Sequence, residues 1–573
     1  MKVDRPELLM RENWGPKSKL AQRMLLLVVL ATCLPIFAQQ SSTTHDTPGA
    51  SSSKEYVGNE PCASCHAEIY KSYANTAMAH ASGPAINELI PGDFTHALSG
   101  VHYRVYADAK GAWLSFERPG DPAVNGKRQL LYFIGSGRRG RTYLFSVDGF
   151  AFESPINWYA QKRVWDMAPA YQSAREIPMT LPALPACLAC HTSNMKAPAP
   201  GTENKYSLPL FARAGITCER CHGPGAAHTT SKGGAIINPS KLAPARRDDV
   251  CMQCHLEGNV AIEQPGKHLY EFQPGDNLSD FTHYFVFADD GSRSLRALSQ
   301  TEALAQSVCK RKSGDAMSCT SCHDPHATPA AEEKVSYYRN KCLACHGASF
   351  GSKHHADKPD CKQCHMPGVA SEDVVHTQAT DHRILRLPAM PLQNLTSQAA
   401  SRLIRFPAAS GAENTRDLAL AWASLAEGGI TSAVAEAETR LRRAVKEKLD
   451  DPALLTALGF IEQKKGKVAE ARRDYQHALE IDPLANEAAG NLGVIEAQEG
   501  HMERAVFLWQ QAFERVPGKS AVGMNLAQIY CSSAQFDQAR AYTRRVLQFN
   551  PDLPEAKALM RSLSADPPKC TTR

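Results

Sequence analysis

The polarity pattern of the chain changes three times. Residues 24–38, MLLLVVLATCLPIFA, are apolar, with Lys17, Lys19 and Arg23 before them and the polar QQSSTT after. A basic stretch, a short apolar run and a small residue at Ala38 predict a secretory signal, residues 1–38, cleaved after Ala38. A run of roughly fifteen residues is short for a membrane span, and no later run is long and apolar enough to be one. Cys33 follows Thr32, a poor lipobox residue, so a lipid anchor is not expected. Past a polar linker at 39–55, the words VHYRVYA, GAWLSFE, RQLLYFI and RTYLFSV are strand-like, with turn-rich breaks such as GSGRRG. They predict a small antiparallel β-insert at 98–155. A Pro-, Ser- and Ala-rich linker follows at 386–415, and beyond it the chain repeats. ALEIDP, AFERVP and VLQFNP end at Pro483, Pro517 and Pro551, two steps of 34 residues. Leu458-Gly459 keeps step with Leu492-Gly493 and Leu526-Ala527, Ala471 with Ala505 and Ala539, and Tyr475 with Trp509. Small residues let paired helices approach and the large ones fill the gap. With a degenerate earlier copy around Ala437 and Ala444, about four helix pairs are expected over 416–565, before a tail at 566–573.

Composition narrows the partners. The chain has 573 residues, 43% hydrophobic and 21% charged, with a formal charge of +5. So mild a balance over this length argues against nucleic acid or an anionic membrane as the main partner. Gly-rich phosphate loops, hydrolase motifs and paired catalytic carboxylates are not evident.

The cysteines carry the chemistry. Fourteen of 18 fall in seven C-x-x-C pairs, and a histidine follows every pair. The first three are Cys62 and Cys65 with His66, Cys187 and Cys190 with His191, and Cys218 and Cys221 with His222. Then come Cys251 and Cys254 with His255, and Cys319 and Cys322 with His323. The last two are Cys342 and Cys345 with His346, and Cys361 and Cys364 with His365. Zinc coordination gives no reason for a histidine directly after each second cysteine. A redox dithiol needs one such pair, and a secreted disulfide scaffold does not repeat one spacing. C-x-x-C-H is the attachment signature of c-type haem. The thiols become thioethers and the histidine binds iron as the proximal ligand. Seven covalent haems are therefore expected over 56–385, and attachment outside the cytoplasm agrees with the signal sequence. Successive proximal histidines are 125, 31, 33, 68, 23 and 19 residues apart. Segments this short leave little room for an apolar core, so the haems themselves should form it.

The sixth iron ligand separates a carrier from an enzyme: two strong axial ligands pass electrons, while an open position binds a small molecule. Eleven further histidines lie between residues 56 and 385, enough to saturate seven irons. His80, His228, His326 and His382 are the foremost distal candidates. His96, His376 and the adjacent His354 and His355 follow. The sequence does not assign the pairs. Met195 and Met366 read as packing residues. Arg138, Arg139 and Arg141 form either a solvated hairpin tip or a contact for haem propionates or an anionic substrate.

YVGNEPCASCHAEIY with NTAMAH, GITCERCHGPGAAH, SCTSCHDPH and CKQCHMP with VVHTQATDHRI resemble the multihaem cytochromes c related to cytochrome c-554, over about residues 56–385. The resemblance implies a closely packed electron-transfer chain with mostly bis-His haems. It also implies His80, His228, His326, His376 and His382 as distal ligands. Relatives include hydroxylamine-oxidising and nitrite-reducing enzymes. This chain lacks the C-x-x-C-K variant of many nitrite reductases and has seven motifs against four in the small carrier, so the haem arrangement does not transfer in full. The 34-residue repeats are similar to tetratricopeptide repeats, whose concave face commonly binds peptide.

The expected fold is thus mainly α. A heptahaem cytochrome c domain of short helices and loops, with its β-insert, precedes a tetratricopeptide solenoid. The expected function is electron transfer by a protein exported to the bacterial periplasm or outer cell surface, with a redox partner docked through the repeats. The alternative is an oxidoreductase acting on a small nitrogen or sulfur compound at one open haem. A scaffold with merely structural haems is the least economical reading. Cys309 has no assigned role. Cys531 and Cys570 could form a disulfide in an exported compartment.

Overall fold

The computed structural model describes residues 55–570 apart from 170, 232, 289–294, 355–356, 387–401, 409–413 and 449. The signal sequence, all but the last residue of the linker at 39–55, and His355 lie outside the described residues.

The period-2 words fold as strands. Four of them, β2 (Gly92–Thr95), β3 (His102–Asp108), β4 (Gly111–Arg118) and β5 (Asp121–Leu130), form an antiparallel meander. Tyr103 faces Phe116 and Val105 faces Leu114 across β3–β4, and all four are buried. A second antiparallel sheet joins β1 (Ser82–Pro84), β6 (Tyr132–Ile134), β7 (Gly140–Val147), β9 (Ile156–Tyr159) and β10 (Val164–Met167), with β8 (Phe150–Glu153) on β7. One apolar core, including Phe133, Tyr143, Phe145, Phe152 and Trp165, serves both. The strands therefore reach past 98–155 on both sides. The aromatic run INWYAQKRVWDM is the hairpin β9–β10, with Trp158 opposite Trp165.

The stretch read as linker also holds structure. Leu403–Phe406 pairs antiparallel with Thr282–Phe287, which pairs with Val260–Glu263. Val260, Phe285 and Leu403 pack on Leu418 and Trp422 of the helix Thr415–Glu427. Burial of Leu403 fixes a strand too short to show a period.

Helix pairs follow: Thr415–Glu427 with Ala433–Glu447, Pro452–Lys464 with Val468–Ile481, Asn486–Gln498 with Met502–Arg515, and Ser520–Ser532 with Phe536–Phe549. Pro554–Leu563 caps the stack. The small-large rhythm has a direct cause. A Cβ on Gly459 would lie 2.7 Å from the Tyr475 ring, and one on Gly493 would lie closer still to the Trp509 ring. Trp509 Nε1 donates to the Gly490 carbonyl at 2.9 Å. A Cys531–Cys570 disulfide ties the tail to the last repeat. Among the described residues, no helix is long and apolar enough to cross a membrane.

The solenoid is seated on the insert. Phe549 lies edge-on to Phe150 and Phe152, with ring centroids 6.0 and 5.9 Å away. Asp552 accepts from Arg118 Nη1 at 3.0 Å, Lys557 Nζ at 2.8 Å and the Ile177 amide at 3.1 Å. Lys557 also reaches Asp121 at 3.1 Å.

Candidate functional site

Each C-x-x-C-H word makes a helical turn. His66, His222 and His323 donate their amides to the first cysteine's carbonyl at 2.8, 3.0 and 3.0 Å. The helices Pro185–His191, Glu219–His222, Pro244–His255, Lys334–His346 and Cys361–His365 all end on the motif histidine. Positions i, i+3 and i+4 share one helix face, so two thiols and an imidazole point the same way. The helices Glu60–Ala63, Lys334–His346 and Cys361–His365 bury no residue. Ile69, Val308, Val335 and Phe350 stand exposed around the motifs. Flat apolar macrocycles on those faces would cover them, so the residues present fit thioether-bound haem.

None of the fourteen motif thiols is spent in a disulfide. Cys65 is exposed, with the Ser64 hydroxyl 3.8 Å from its Sγ. Cys364 is half-buried in the last turn of the helix Cys361–His365, beside the ligating face.

The ring nitrogens support the same fit. His222 Nδ1 donates to the Ile237 carbonyl at 2.8 Å and His365 Nδ1 to that of Leu385 at 2.5 Å. His228 Nδ1 and His382 Nδ1 donate to the carbonyls of Gly234 and Thr380, at 3.0 and 2.9 Å. A carbonyl only accepts, so the proton sits on Nδ1 and Nε2 keeps its lone pair for a metal. Burial lowers the pKa of His191, His222, His255, His323 and His382, which favours the neutral, ligating imidazole.

Four motif histidines face a second imidazole. His66 faces His228 at 6.4 Å between ring centroids, with planes 11° apart. His222 faces His326 at 5.9 Å and 10°. His323 faces His382 at 6.3 Å and 32°, and His365 faces His354 at 5.9 Å and 32°. An imidazole nitrogen binds a metal at about 2 Å, and the ring centre lies about 1 Å further. Two axial imidazoles on one iron thus stand roughly 6 Å apart. Stacked rings in van der Waals contact would be closer. His228, His326 and His382 are each brought from the segment after a later odd-numbered motif.

Other candidates are placed differently. His80 is held at both nitrogens, by Glu88 and the Ala74 carbonyl, each at 2.8 Å. His96 is buried between Ser99 and the Gln172 carbonyl. His376, at φ +58°, gives Nε2 to Asp166 Oδ2 at 2.6 Å. His191 Nδ1 is buried without a hydrogen bond, and the His346 ring lies 5.1 Å from that of Phe350.

Sulfurs bring motifs together. Cys62 neighbours Cys218, Cys190 neighbours Cys254, Cys251 neighbours Cys319, and Cys342 neighbours Cys361. Cys221 neighbours Cys254, and Cys322 neighbours both Cys345 and Cys309. The motifs therefore form one contiguous set. Sequence reasoning missed Gln300, whose Oε1 lies 3.4 Å from His255 Nδ1, and Tyr338, whose hydroxyl lies 3.4 Å from His323 Nδ1. Neither stands at a fixed spacing from its histidine.

Comparison with known proteins agrees with these features. The family model for cytochrome c554 and c-prime matches residues 158–223. Two tetratricopeptide-repeat models match 452–483 and 496–563. Multiheme cytochrome MtrA of Shewanella baltica (strain OS185) is 25% identical over 185 residues, 29% of this chain. The match covers 54% of MtrA, so the chain spans about half the length of that curated relative. Among solved structures, the outer cell wall cytochrome OcwA is 16% identical at a TM-score of 0.38, over 81% of this chain and 100% of its own. PilF of Pseudomonas aeruginosa is 25% identical at 0.24, over 26% of this chain and 68% of its own.

Proposed function

We propose that this multihaem cytochrome c, fused to tetratricopeptide repeats, is an exported electron-transfer protein carrying seven covalent haems. When bound, haem iron alternates between ferric and ferrous and so stores one electron. The cysteines of each motif anchor the group, from Cys62 and Cys65 at the first to Cys361 and Cys364 at the last, and the adjacent histidine supplies the proximal nitrogen. His228, His326, His382 and His354 supply the distal nitrogens for the irons on His66, His222, His323 and His365. The single observation that carries this reading is the spacing of the four imidazole pairs.

Contacts between sulfurs give an order for the path. Motif one adjoins three, three adjoins four, and four, five, six and seven follow in turn, with two attached at four. The repeats bind a redox partner, and the protein works in the periplasm or at the outer cell surface. Intact mass of the mature, denatured protein tests the core of the proposal. Seven haem additions on a chain starting after Ala38 are expected; a chain without covalent haem sinks it. A second reading, chemistry on a small nitrogen or sulfur compound, is favoured by one observation: among the described residues, no imidazole faces His191, His255 or His346 at the paired spacing.

A further inference from the structure

The two residues between the cysteines of the third motif are a glutamate and an arginine, Glu219 and Arg220. They reach different neighbours. Glu219 is 2% exposed, and its carboxylate holds the segment just ahead of motif one. Oε1 accepts the amides of Val57 and Gly225 and Oε2 that of Gly58, each at 2.8 Å. The Gly58 carbonyl lies 3.6 Å from Cys62 Sγ, and Asn59 Oδ1 accepts the Cys218 amide at 2.9 Å, so this negative charge stands against the anchor of motif one.

Arg220 turns to motif two. Its Nη2 donates at 3.4 Å to the carbonyl of Ala189, which lies between Cys187 and Cys190, and Nη1 donates at 3.2 Å to that of Phe272. Ala189 and Phe272 are 2% and 0% exposed, and Arg220 Nε is buried without an acceptor. Both acceptors are neutral carbonyls, and no carboxylate among the described residues pairs with this guanidinium. Cys190 Sγ in turn lies 3.4 Å from the Gln253 carbonyl, inside motif four.

We infer that this pair gives the electron path a direction: Glu219 lowers the reduction potential of the haem on motif one, and Arg220 raises that of the haem on motif two. Ferric haem carries one more positive charge than ferrous haem. A nearby anion therefore favours the ferric form and a nearby cation the ferrous form, and the burial of Glu219 and of Arg220 Nε limits screening by water. The third motif carries both charges, which oppose each other there. One electron then leaves ferrous iron at motif one and reduces ferric iron at motif two by way of motif three, with no other reactant. This rests on the reading of the motifs as electron-transfer haems and adds a direction to it.

Holoprotein is reduced stepwise in an optically transparent electrode cell, and the haems are followed by absorbance and electron paramagnetic resonance. His228→Met and His326→Met raise the potentials of the haems on motifs one and three and so identify them. We expect Glu219→Gln to raise the motif-one potential, moving its ferric–ferrous equilibrium about tenfold, ~59 mV for one electron. Arg220→Gln lowers, by about the same factor, the potential of a haem that neither methionine variant marks. Arg220→Lys keeps the charge and the parent potential. A purely structural pair would lower the melting temperature of the variants without moving two potentials in opposite senses. Shifts of one sign in both glutamine variants, or an unmoved potential in Arg220→Gln, overturn the inference and leave the electron-transfer proposal standing. Absent covalent haem removes both. Where Glu219→Gln does not fold, Arg220→Gln against Arg220→Lys decides alone.

Discussion

The Asp552 side chain is 1% exposed and answers three donors that come from different parts of the chain. Removing it leaves Arg118 and Lys557 mostly buried, with only the partly exposed Asp121 carboxylate to share between them. Asp552→Ala should cost about 3 kcal/mol, read as a drop in the denaturation midpoint. Gly493→Ala acts by the opposite route, adding volume where the Trp509 ring already touches the backbone. It should destabilise the repeats by about 1–3 kcal/mol, measured by circular dichroism melting. The two residues differ in legibility. Gly493 could be read from the sequence because its partner recurs at a fixed step. Asp552 could not, because Arg118 is 434 positions away and nothing local marks the pair.

Elements inherit their roles from what they are seated against. Leu403–Phe406 has too few residues to declare a period, and only its pairing with Thr282–Phe287 makes it a strand. It seats the helix Thr415–Glu427, whose Asp417 is fully buried. Burial alone would raise the Asp417 pKa, but donors on His283, Gln264 and Arg416 outweigh it and hold the pKa below the ordinary carboxylate value. A depressed folded pKa contributes stability above the unfolded value of about 4, and that stability is lost as pH falls through the folded value. The junction should therefore weaken below about pH 4, and Asp417→Asn should flatten that part of the curve while lowering stability at pH 7. Chemical denaturation at stepped pH checks both. The motif turns were legible because two cysteines and a histidine at fixed offsets encode their own geometry. His228, His326, His354 and His382 were legible as candidates, but which motif histidine each faces was not, because each arrives on a separate segment. His326 illustrates this: it follows the fifth motif, yet its ring faces His222 of the third. His326→Met should raise the potential of one haem, since methionine in place of histidine favours ferrous iron. Redox titration should find that haem next to the first motif, not the sixth.

At the scale of the molecule, two bodies that composition separates are joined. The repeats contact the sheet holding Leu403–Phe406 at one end and the β-insert at the other, with Phe549 inserted beside Phe150 and Phe152. A single cooperative transition should report both bodies in guanidinium, whether followed by fluorescence or by far-ultraviolet dichroism. Phe549→Asp should split it in two.

That seating turns the solenoid into a jig. On a tethered arm, a captured partner searches around its tether and its local concentration falls as roughly the −3/2 power of tether length. On a jig, a partner meets the molecule in one pose, and the length of connecting chain has no influence. Glycine-serine residues inserted just ahead of Leu403 should then leave the electron-delivery rate to a bound partner unchanged, whereas loosening the Phe549 contact should lower it.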